Sequence, residues 1–337
     1  MRFPRFKKDL LFVVGGAFLV GIVFAASILF YFLSLSKSEG RVNLILLGES
    51  GPGHTGSSLT DSIIFASVSK EGTILLSVPR DLWYGPWQTK INSLYYYGQQ
   101  RGDGLLWTKK ILGEVLGQEI KHAILVDFTV FQDLVDLVGG VDIIVERSFD
   151  DFRYPIAGLE EDLCGGDPQF ACRYEHVSFK AGPTRLNGEQ ALKFVRSRYA
   201  EGEEGTDTAR SARQQKIIAG LKEKLISPAL VLSPAKMKGL KEIFEKRIKS
   251  DLNQEDFLIL GKIFLTPSSR DFQSFVINNW EKEEGLIYHP KKHPSGQWVL
   301  LPKDDSWGQI RQFTACLLAA VDKSSCSPQR KPVPPNF

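Results

Sequence analysis

The sequence lacks the motifs that mark most hydrolytic and nucleotide-binding enzymes. It has no GxSxG motif, and His54, His122 and His176 show neither metal-ligand spacing nor a partner nucleophile signature. Residues 51–56 match GxGxxG, but a β-branched run follows where a nucleotide site needs a helix N-terminus. No Lys-Ser or Lys-Thr pair completes a P-loop there. These absences argue against a hydrolytic triad and against a nucleotide site.

The sequence also has little net charge and few cysteines. The formal net charge is only +3, which is too small to predict a nucleic-acid partner. The four cysteines have neither CxxC spacing nor a nearby His-x-x-His pair, which argues against zinc. Four cysteines allow three disulfide pairings, and we predict the two local ones, Cys164–Cys172 and Cys316–Cys326. Four unpaired buried thiols are the alternative.

A long apolar run without charge lies near the N-terminus. Leu10 to Leu35 contains no Asp, Glu, Lys or Arg and is long enough to span a bilayer. Four basic residues precede it: Arg2, Arg5, Lys7 and Lys8. The positive-inside rule then predicts a cytoplasmic tail (1–9), a single-pass membrane anchor (10–35), a linker (36–40) and an extracytoplasmic remainder. A signal peptide cleaved near Ala25–Ser27 is the alternative.

Strand-like and helix-like segments alternate from residue 41 to about 228. Val42 to Leu47 is a typical buried strand, and residues 60–69 and 73–78 predict a hairpin. Helical patterns and further strands follow. Gly139-Gly140 is expected to end one helix, and Asn187 with Gln190 three positions later is expected to cap the start of another, close to a capping box. This alternation favours an α/β layer architecture. Residues 147–183 are expected to form a long surface excursion. Residues 229–337 are expected to form a C-terminal extension of unassigned role that ends in a Pro-rich tail.

A cluster of arginines is the strongest chemical signal, and it comprises Arg196, Arg198, Arg210 and Arg213. The first two follow a predicted helix, and the last two share a face of the next helix with Gln214. A turn over residues 199–207 would bring both pairs together. Guanidinium groups that face one point require an anion, and their planar fork suits phosphate. The alternative is a solvated helix face neutralised by nearby acids, namely Glu201, Glu203, Glu204 and Asp207.

Acidic residues lie at the ends of three predicted strands, at Glu49, Asp61 and Asp81. Carboxylates clustered there could hold one hard cation, and Mg²⁺ typically takes one or two carboxylates plus substrate phosphates. Arg80, beside Asp81, would add a fifth guanidinium. Ordinary turn chemistry at strand ends is the alternative.

Short segments in a defined order connect these features: Asn43–Gly48 (NLILLG), Thr60–Ser62 (TDS), Ser77–Asp81 (SVPRD), Lys90–Asn92 (KIN), Gly139–Asp142 (GGVD), Leu186–Leu192 (LNGEQAL), Val195–Arg198 (VRSR), Asp207–Arg210 (DTAR) and Ala212–Gln215 (ARQQ). Together, behind an apolar N-terminal run, they resemble the LytR-CpsA-Psr family of cell-wall phosphotransferases over about residues 41–226.

That resemblance implies an α-β-α layered domain with a central mixed sheet, which binds a polyprenyl pyrophosphate carrying a glycopolymer. The expected pyrophosphate-binding residues are Arg80, Arg196, Arg198, Arg210, Arg213 and Gln214. Asp61 is the expected Mg²⁺ ligand, and Glu49 falls near the family's other metal-site Asp. Leu59 stands where many members have Arg, so one guanidinium of the family pattern is missing.

The resemblance also implies a mechanism in which a peptidoglycan hydroxyl attacks the phosphorus that bears the glycan. The expected catalytic residues are Asp61, Arg80, Asp81 and Asp207, with Asp81 or Asp207 orienting or deprotonating the hydroxyl. Two alternatives remain open, namely a pyrophosphatase that transfers the phosphorus to water and a non-catalytic protein that binds polyanion or prenyl phosphate. Nothing in the sequence reads as a DNA-binding helix.

Overall fold

The computed structural model describes residues 40–52, 56–265, 272–277, 285–304, 306–320 and 323–326. The predicted cytoplasmic tail and membrane anchor lie outside these ranges. Among the described residues, no helix is both long enough and apolar enough to cross a bilayer. The strands in these ranges are β1 Arg41–Glu49, β2 Thr60–Ser69, β3 Gly72–Ser77, β4 Trp83–Tyr84, β5 Thr89–Lys90, β6 His122–Asp127, β7 Val141–Val145, β8 Phe149–Pro155, β9 Tyr174–Phe179, β10 Gly182–Leu186, β11 Lys249–Ser250, β12 Phe272–Val276, β13 Ile287–Tyr288 and β14 Leu301–Pro302.

A six-stranded sheet in the order β11-β6-β1-β2-β3-β12 forms the centre of the molecule. Strands β1, β2 and β3 are antiparallel neighbours, whereas β6 pairs with β1 and β12 pairs with β3 in parallel. The sheet is therefore mixed, and the α/β class predicted from the sequence is confirmed. The predicted hairpin is present too, with Ser69 opposite Gly72 at its turn.

Helices cover both faces of this sheet. The helices in the described ranges are α1 Leu94–Gln100, α2 Gly104–Leu116, α3 Phe128–Leu137, α4 Gly188–Arg196, α5 Asp207–Leu225, α6 Pro228–Val231, α7 Pro234–Lys246, α8 Gln254–Leu265 and α9 Gly308–Ala319. One core joins Ile45 and Phe65 of the sheet to Leu112 of α2 and Leu317 of α9. A second core, on the other face, includes Leu260 of α8. Because both faces are covered, β2 reads as an almost continuous apolar run.

A third core lies beside the sheet and contains Phe149, Phe179, Phe194 and Ile217. It corrects one expectation, because part of the predicted surface excursion over 147–183 is folded structure. Strands β8 and β9 pair antiparallel within it and bury four of its side chains, which are Phe149, Tyr154, Val177 and Phe179. These strands were not predicted from the sequence, because their aromatic residues are interspersed with Asp, Gly and Pro, which are typical of loops.

Local sequence signals explain several element boundaries. Asn187 and Gln190 form a complete capping box at the start of α4, as their spacing predicted. Gly139 and Gly140 both adopt positive φ between α3 and β7, a conformation that glycine adopts without strain. Both predicted disulfides, Cys164–Cys172 and Cys316–Cys326, are present.

Residues after 228 complete the central sheet. Strand β11 pairs with β6 at one edge, and β12 pairs with β3 at the other. The short strands β13 and β14 pair with each other. Just before β14, Leu300 hydrogen-bonds to the backbone of Asp81 and Trp83, which follow β3 in the chain. The part of the chain to which the sequence assigned no role therefore contributes to the same fold.

Candidate active site

One cavity lies where β2 begins, β3 ends and α5 passes across the sheet. Its polar lining comprises Asp61, Ser62, Ser77, Arg80, Asp81, Arg210, Ser211 and Gln214. Its apolar lining comprises Ile63, Val78, Pro79, Val276, Ile277, Ile287 and Leu300. Four of the sequence motifs thus meet at one place, two at neighbouring strand ends (60–62 and 77–81) and two on α5 (207–210 and 212–215).

Arg80 lies at the centre of the charged part of the cavity. Its guanidinium forms an ion pair with Asp61, and its Nε atom lies 3.4 Å from Oδ2 of Asp81. Lys90 lies on the other side of Asp81, with Nζ 2.7 Å from Oδ1. The Arg80 side chain is about one quarter exposed, so these partners hold it without closing it off from the cavity. Carboxylates and cations therefore alternate from Asp61 through Arg80 and Asp81 to Lys90, and the first three of these residues line the cavity.

Helix α5 is fastened to the sheet by a neutral side chain. Gln215 is buried, and its Nε2 donates to Ser77 Oγ and to the backbone oxygen of Phe275, each at 3.0 Å. Gln214 faces the cavity, where it accepts a hydrogen bond of 3.1 Å from Ser62. These contacts fix the rotation of α5 and place Arg210, one turn earlier, in the cavity lining.

Arg213 does not line this cavity. Its residue exposure is 3%, and its guanidinium donates to backbone oxygens of Phe194, Ser197 and Glu204 at 2.9, 2.6 and 2.9 Å. The Glu204 carboxylate also accepts from it, at 2.9 Å. Burial lowers the pKa of the Arg213 guanidinium, and Glu204 opposes that shift. These contacts make Arg213 a clamp across the turn that joins α4 to α5.

Asp151 holds the same turn from the opposite side. Its carboxylate is fully buried, and Oδ2 accepts from Ser197 Oγ at 2.5 Å and from the backbone nitrogens of Arg198 and Tyr199 at 3.0 and 3.2 Å. Its other oxygen accepts from Arg153 N at 2.9 Å. Several donors to one carboxylate compensate its burial. The backbone of the predicted Arg196–Arg198 pair is therefore rigidly held.

The side chains of that pair lie outside the cavity lining. Arg196 stacks over Phe128, with its Cζ 4.3 Å from the ring centroid, and donates to the Tyr154 hydroxyl at 3.1 Å. Burial raises the pKa of Tyr154, and the adjacent Arg196 opposes that shift. Arg198 is half-buried, while Asp207 begins α5. The structure therefore brings Asp61, Arg80, Asp81, Arg210 and Gln214 together and places the other predicted arginines around the turn.

The predicted metal ligands differ in their surroundings. Asp61 lines the cavity together with Asp81, so two hard carboxylate donors meet there, which fits the ligand set that Mg²⁺ prefers. Glu49 is buried outside the cavity lining, with Oε1 3.2 Å from Lys249 Nζ. Burial alone would lower the pKa of Lys249, but interactions with Glu49 and Tyr95 outweigh it and raise the pKa.

Several residues of the site were missed by reasoning from the sequence. Asp151 lay in the supposed surface excursion, where acidic residues are ordinarily solvated. Lys90 belongs to the segment 90–92 and had no predicted role, although it pairs directly with Asp81. Ile287 and Leu300 follow regions without a motif, and no sequence signal places them in the cavity lining.

The fold and the cavity define a mixed α/β protein in which carboxylate and guanidinium groups line an opening beside apolar side chains. The model of the LytR_cpsA_psr family matches residues 27–297. That match covers most of the chain, and the protein belongs to the LytR-CpsA-Psr family.

Two curated relatives and one crystal structure are similar to it. The regulatory protein MsrR of Staphylococcus aureus is 29% identical over 251 residues, which are 72% of this chain and 65% of MsrR. The polyisoprenyl-teichoic acid–peptidoglycan teichoic acid transferase TagU of Bacillus licheniformis is 25% identical over 235 residues, 68% of this chain and 66% of TagU. The chain thus spans slightly less than two thirds of these relatives. The crystal structure of B. subtilis TagV, 22% identical, covers 82% of this chain and 97% of its own, with a TM-score of 0.57, and shows the fold.

Proposed function

We propose that the protein is an extracytoplasmic phosphotransferase that moves a glycopolymer from a polyprenyl-pyrophosphate carrier onto a peptidoglycan hydroxyl. One observation carries this proposal: Arg80 and Arg210 come from different elements and line the same cavity as two carboxylates and seven aliphatic or proline side chains. Guanidinium groups suit a pyrophosphate, and apolar walls suit the start of a prenyl chain. Membership of the LytR-CpsA-Psr family and the similarity to the teichoic acid transferase TagU support the same proposal.

Arg80, Arg210 and Gln214 would bind the pyrophosphate oxygens in the cavity. Arg196 and Arg198 would reach the substrate from the adjoining turn. Arg213 takes a different part, because its donors are already engaged by Phe194, Ser197 and Glu204. It would act as a positioning residue that holds this turn.

The reaction would form one bond and break one. The oxygen of the acceptor hydroxyl bonds to the phosphorus that carries the glycan, and the bridging P–O bond breaks with its electrons leaving on polyprenyl phosphate. Arg80 and Arg210 stabilise the negative charge of the phosphoryl oxygens, which is the main catalytic task in phosphoryl transfer. The proton of the hydroxyl passes to a carboxylate, for which Asp81 in the cavity and Asp207 at the start of α5 are the two candidates.

Asp61 would hold a Mg²⁺ ion, whose charge helps to neutralise the phosphates. Glu49 would serve as a second ligand by exchanging its partner Lys249 for the ion. The segment 10–35 would anchor the enzyme in the cell membrane as a single span, with the N-terminus in the cytoplasm and the cavity outside, near a lipid-linked donor.

The test is a transfer assay with the full-length protein in detergent. A donor labelled in its glycan is incubated with Mg²⁺ and peptidoglycan fragments, and Arg80→Ala and Asp61→Ala are run beside the wild type. Label on the acceptor that is lost in both variants supports the proposal. Free phosphorylated sugar would indicate a hydrolase instead, and label that stays on a bound lipid would indicate a non-catalytic binding protein.

A further inference from the structure

The segment between β13 and β14 forms a loop fixed to the rim of the cavity. Residues 289–300 connect the two strands, and Ile287 and Leu300 at the base of the loop line the cavity. Leu300 donates to the backbone oxygen of Asp81 at 2.9 Å and accepts from the nitrogen of Trp83, also at 2.9 Å. In addition, the His293 ring packs edge-on against Trp83, with 4.7 Å between centroids. The loop is therefore tied to the chain that carries Arg80 and Asp81.

The outer part of this loop presents a planar aromatic surface. Trp298 is 47% exposed and stacks on His289, with ring centroids 4.9 Å apart and planes 21° from parallel. His289 Nδ1 is 2.8 Å from the backbone oxygen of Val299, so the imidazole that supports the indole is itself fixed. A half-exposed indole forgoes much of the burial that makes tryptophan favourable in a core. With His289 stacked on the indole, nearly half of the Trp298 surface still remains exposed to a ligand.

The same loop carries positive charge without compensation in its sequence. Residues 289–299 include Lys291 and Lys292, both exposed, and contain no Asp or Glu. An exposed lysine is a strongly hydrated point charge that attracts phosphate or carboxylate groups at short range. The aromatic surface and the cationic pair therefore lie on one short loop.

We propose that residues 289–299 bind the anionic sugar chain of the donor, with Trp298 stacking on a sugar ring and Lys291 and Lys292 contacting phosphate or carboxylate groups. Trp298 is two residues from Leu300, so it lies at most ~7 Å along the chain from the cavity rim. Because Trp298 lies outside the cavity lining, the loop would contact sugars beyond the one attached to the pyrophosphate. This inference rests on the proposed function, and it assigns the substrate's glycan to a part of the chain that carries no recognised motif.

The first test measures binding without catalysis. Full-length protein in detergent is titrated with lipid-free poly(ribitol phosphate) bearing N-acetylglucosamine and, for comparison, with a neutral N-acetylglucosamine oligomer. We expect Trp298→Ala to weaken binding of the anionic polymer about tenfold, as one lost ring contact would. Trp298→Tyr should retain most of the affinity, since it keeps a planar ring. The double variant Lys291→Ala/Lys292→Ala should lose affinity for the polymer at low salt, and this loss should be much smaller at high salt, because salt screens the lysine charges.

A matched control comes from α7, where Lys238 and Lys241 are also exposed and lie outside the cavity lining. The double variant Lys238→Ala/Lys241→Ala should bind the polymer as the wild type does. Circular dichroism of each variant separates lost binding from lost folding. Equal binding by the wild type and Trp298→Ala would overturn the inference. It would also be overturned if Trp298→Ala lost affinity only for phosphatidylglycerol vesicles, because the loop would then contact a lipid surface.

The transfer assay distinguishes failure of this inference from failure of the proposed function. With donors of increasing glycan length, Trp298→Ala should raise KM more for long chains than for a single sugar and change kcat little. A uniform change across all lengths would contradict a glycan contact. Polymer binding through the loop in a protein without transfer activity would overturn the proposed function and leave the role of the loop standing.

Discussion

The cavity wall and the turn between α4 and α5 are both rich in arginine, yet their guanidinium groups have different surroundings. In the cavity, Arg80 contacts the side-chain carboxylates of Asp61 and Asp81, and Arg210 lines the same opening. In the turn, Arg213 contacts three backbone oxygens and Glu204 and is closed off from solvent. Arg210 and Arg213 are only three residues apart on one helix.

The difference shows that the density of arginine in a sequence does not identify a ligand site. A guanidinium surrounded by backbone carbonyls satisfies its donors within the fold and fixes chain geometry. A guanidinium beside carboxylates at an open cavity can exchange those partners for phosphate oxygens. We therefore expect substitutions in the turn to reduce stability and substitutions in the cavity to reduce activity.

The largest effect on folding is expected from Arg213→Ala. The substitution leaves the buried carbonyls of Phe194 and Ser197 without their donor, which costs about 1–3 kcal/mol for each unsatisfied group. The partly buried Glu204 carboxylate loses one of its two cationic partners and keeps Arg147. Urea unfolding measures the loss. Arg213→Lys should rescue little, because an ammonium cannot donate in the directions of a guanidinium. A loss below about 1 kcal/mol would contradict the prediction that an arginine in the turn contributes more to stability than an arginine in the cavity.

Arg210→Ala should show the converse behaviour. Removal of one preorganised donor to a transition-state oxyanion reduces kcat by about 10²–10³, or roughly 2.7–4 kcal/mol. Transfer to peptidoglycan fragments measures this, and unfolding in urea should change by less than about 1 kcal/mol. Arg210→Lys keeps the charge without the fork and should recover activity in part. Full activity in Arg210→Ala would remove this arginine from the proposed site.

Asp151→Asn tests the turn from its acidic side. The amide retains one acceptor oxygen but places an NH₂ group among donors, so we expect a loss of about 1–3 kcal/mol in unfolding free energy. Asp150→Asn is a matched control on the same strand, because Asp150 is exposed and pairs with His176 at the surface. Similar losses in both variants would show that burial of Asp151 does not decide its contribution.

The smallest effect is expected at Asp142, where the ion pairs are exposed. Hydrogen bonds from Arg185 and Lys224 lower the pKa of Asp142 in the folded protein. Its contribution is therefore present above the unfolded pKa of about 3.9 and disappears as pH falls below it. Asp142→Asn should cost about 0.2–1 kcal/mol at pH 7, and this cost should shrink as pH falls below about 3.9 and vanish only when Asp142 is protonated in the folded protein. A pH-independent loss would contradict an electrostatic origin.

Much of the fold follows from sequence patterns that act locally. The apolar run of β2, the hairpin at residues 70–71, the capping box at Asn187 and the glycine pair after α3 all predicted the elements that the structure contains. The two disulfides were predicted from proximity in sequence and are confirmed. Strands β8 and β9 were not predicted, because their buried aromatic residues are interspersed with acidic residues that are typical of loops.

The candidate site was predictable in its parts and less so in its arrangement. Motifs identified Asp61, Arg80, Asp81, Arg210 and Gln214, and the structure places all five around one cavity. The same reasoning grouped Arg213 with them, since helical spacing puts it near Gln214. Spacing gives the rotation of a residue around a helix but not what packs against that side, and here Phe194, Ser197 and Glu204 occupy it.

By itself the sequence determined the α/β class, most element boundaries, the disulfide pairs and the family, because each depends on short-range patterns or on motifs in a fixed order. The tertiary structure alone decided which arginines line the cavity, that Asp151 secures the turn, and that residues after 228 complete the sheet and the cavity lining. These outcomes depend on contacts between residues far apart in sequence, such as Gln215 with Phe275 and Leu300 with Asp81. No local pattern encodes such contacts, because they arise only when separate elements pack together.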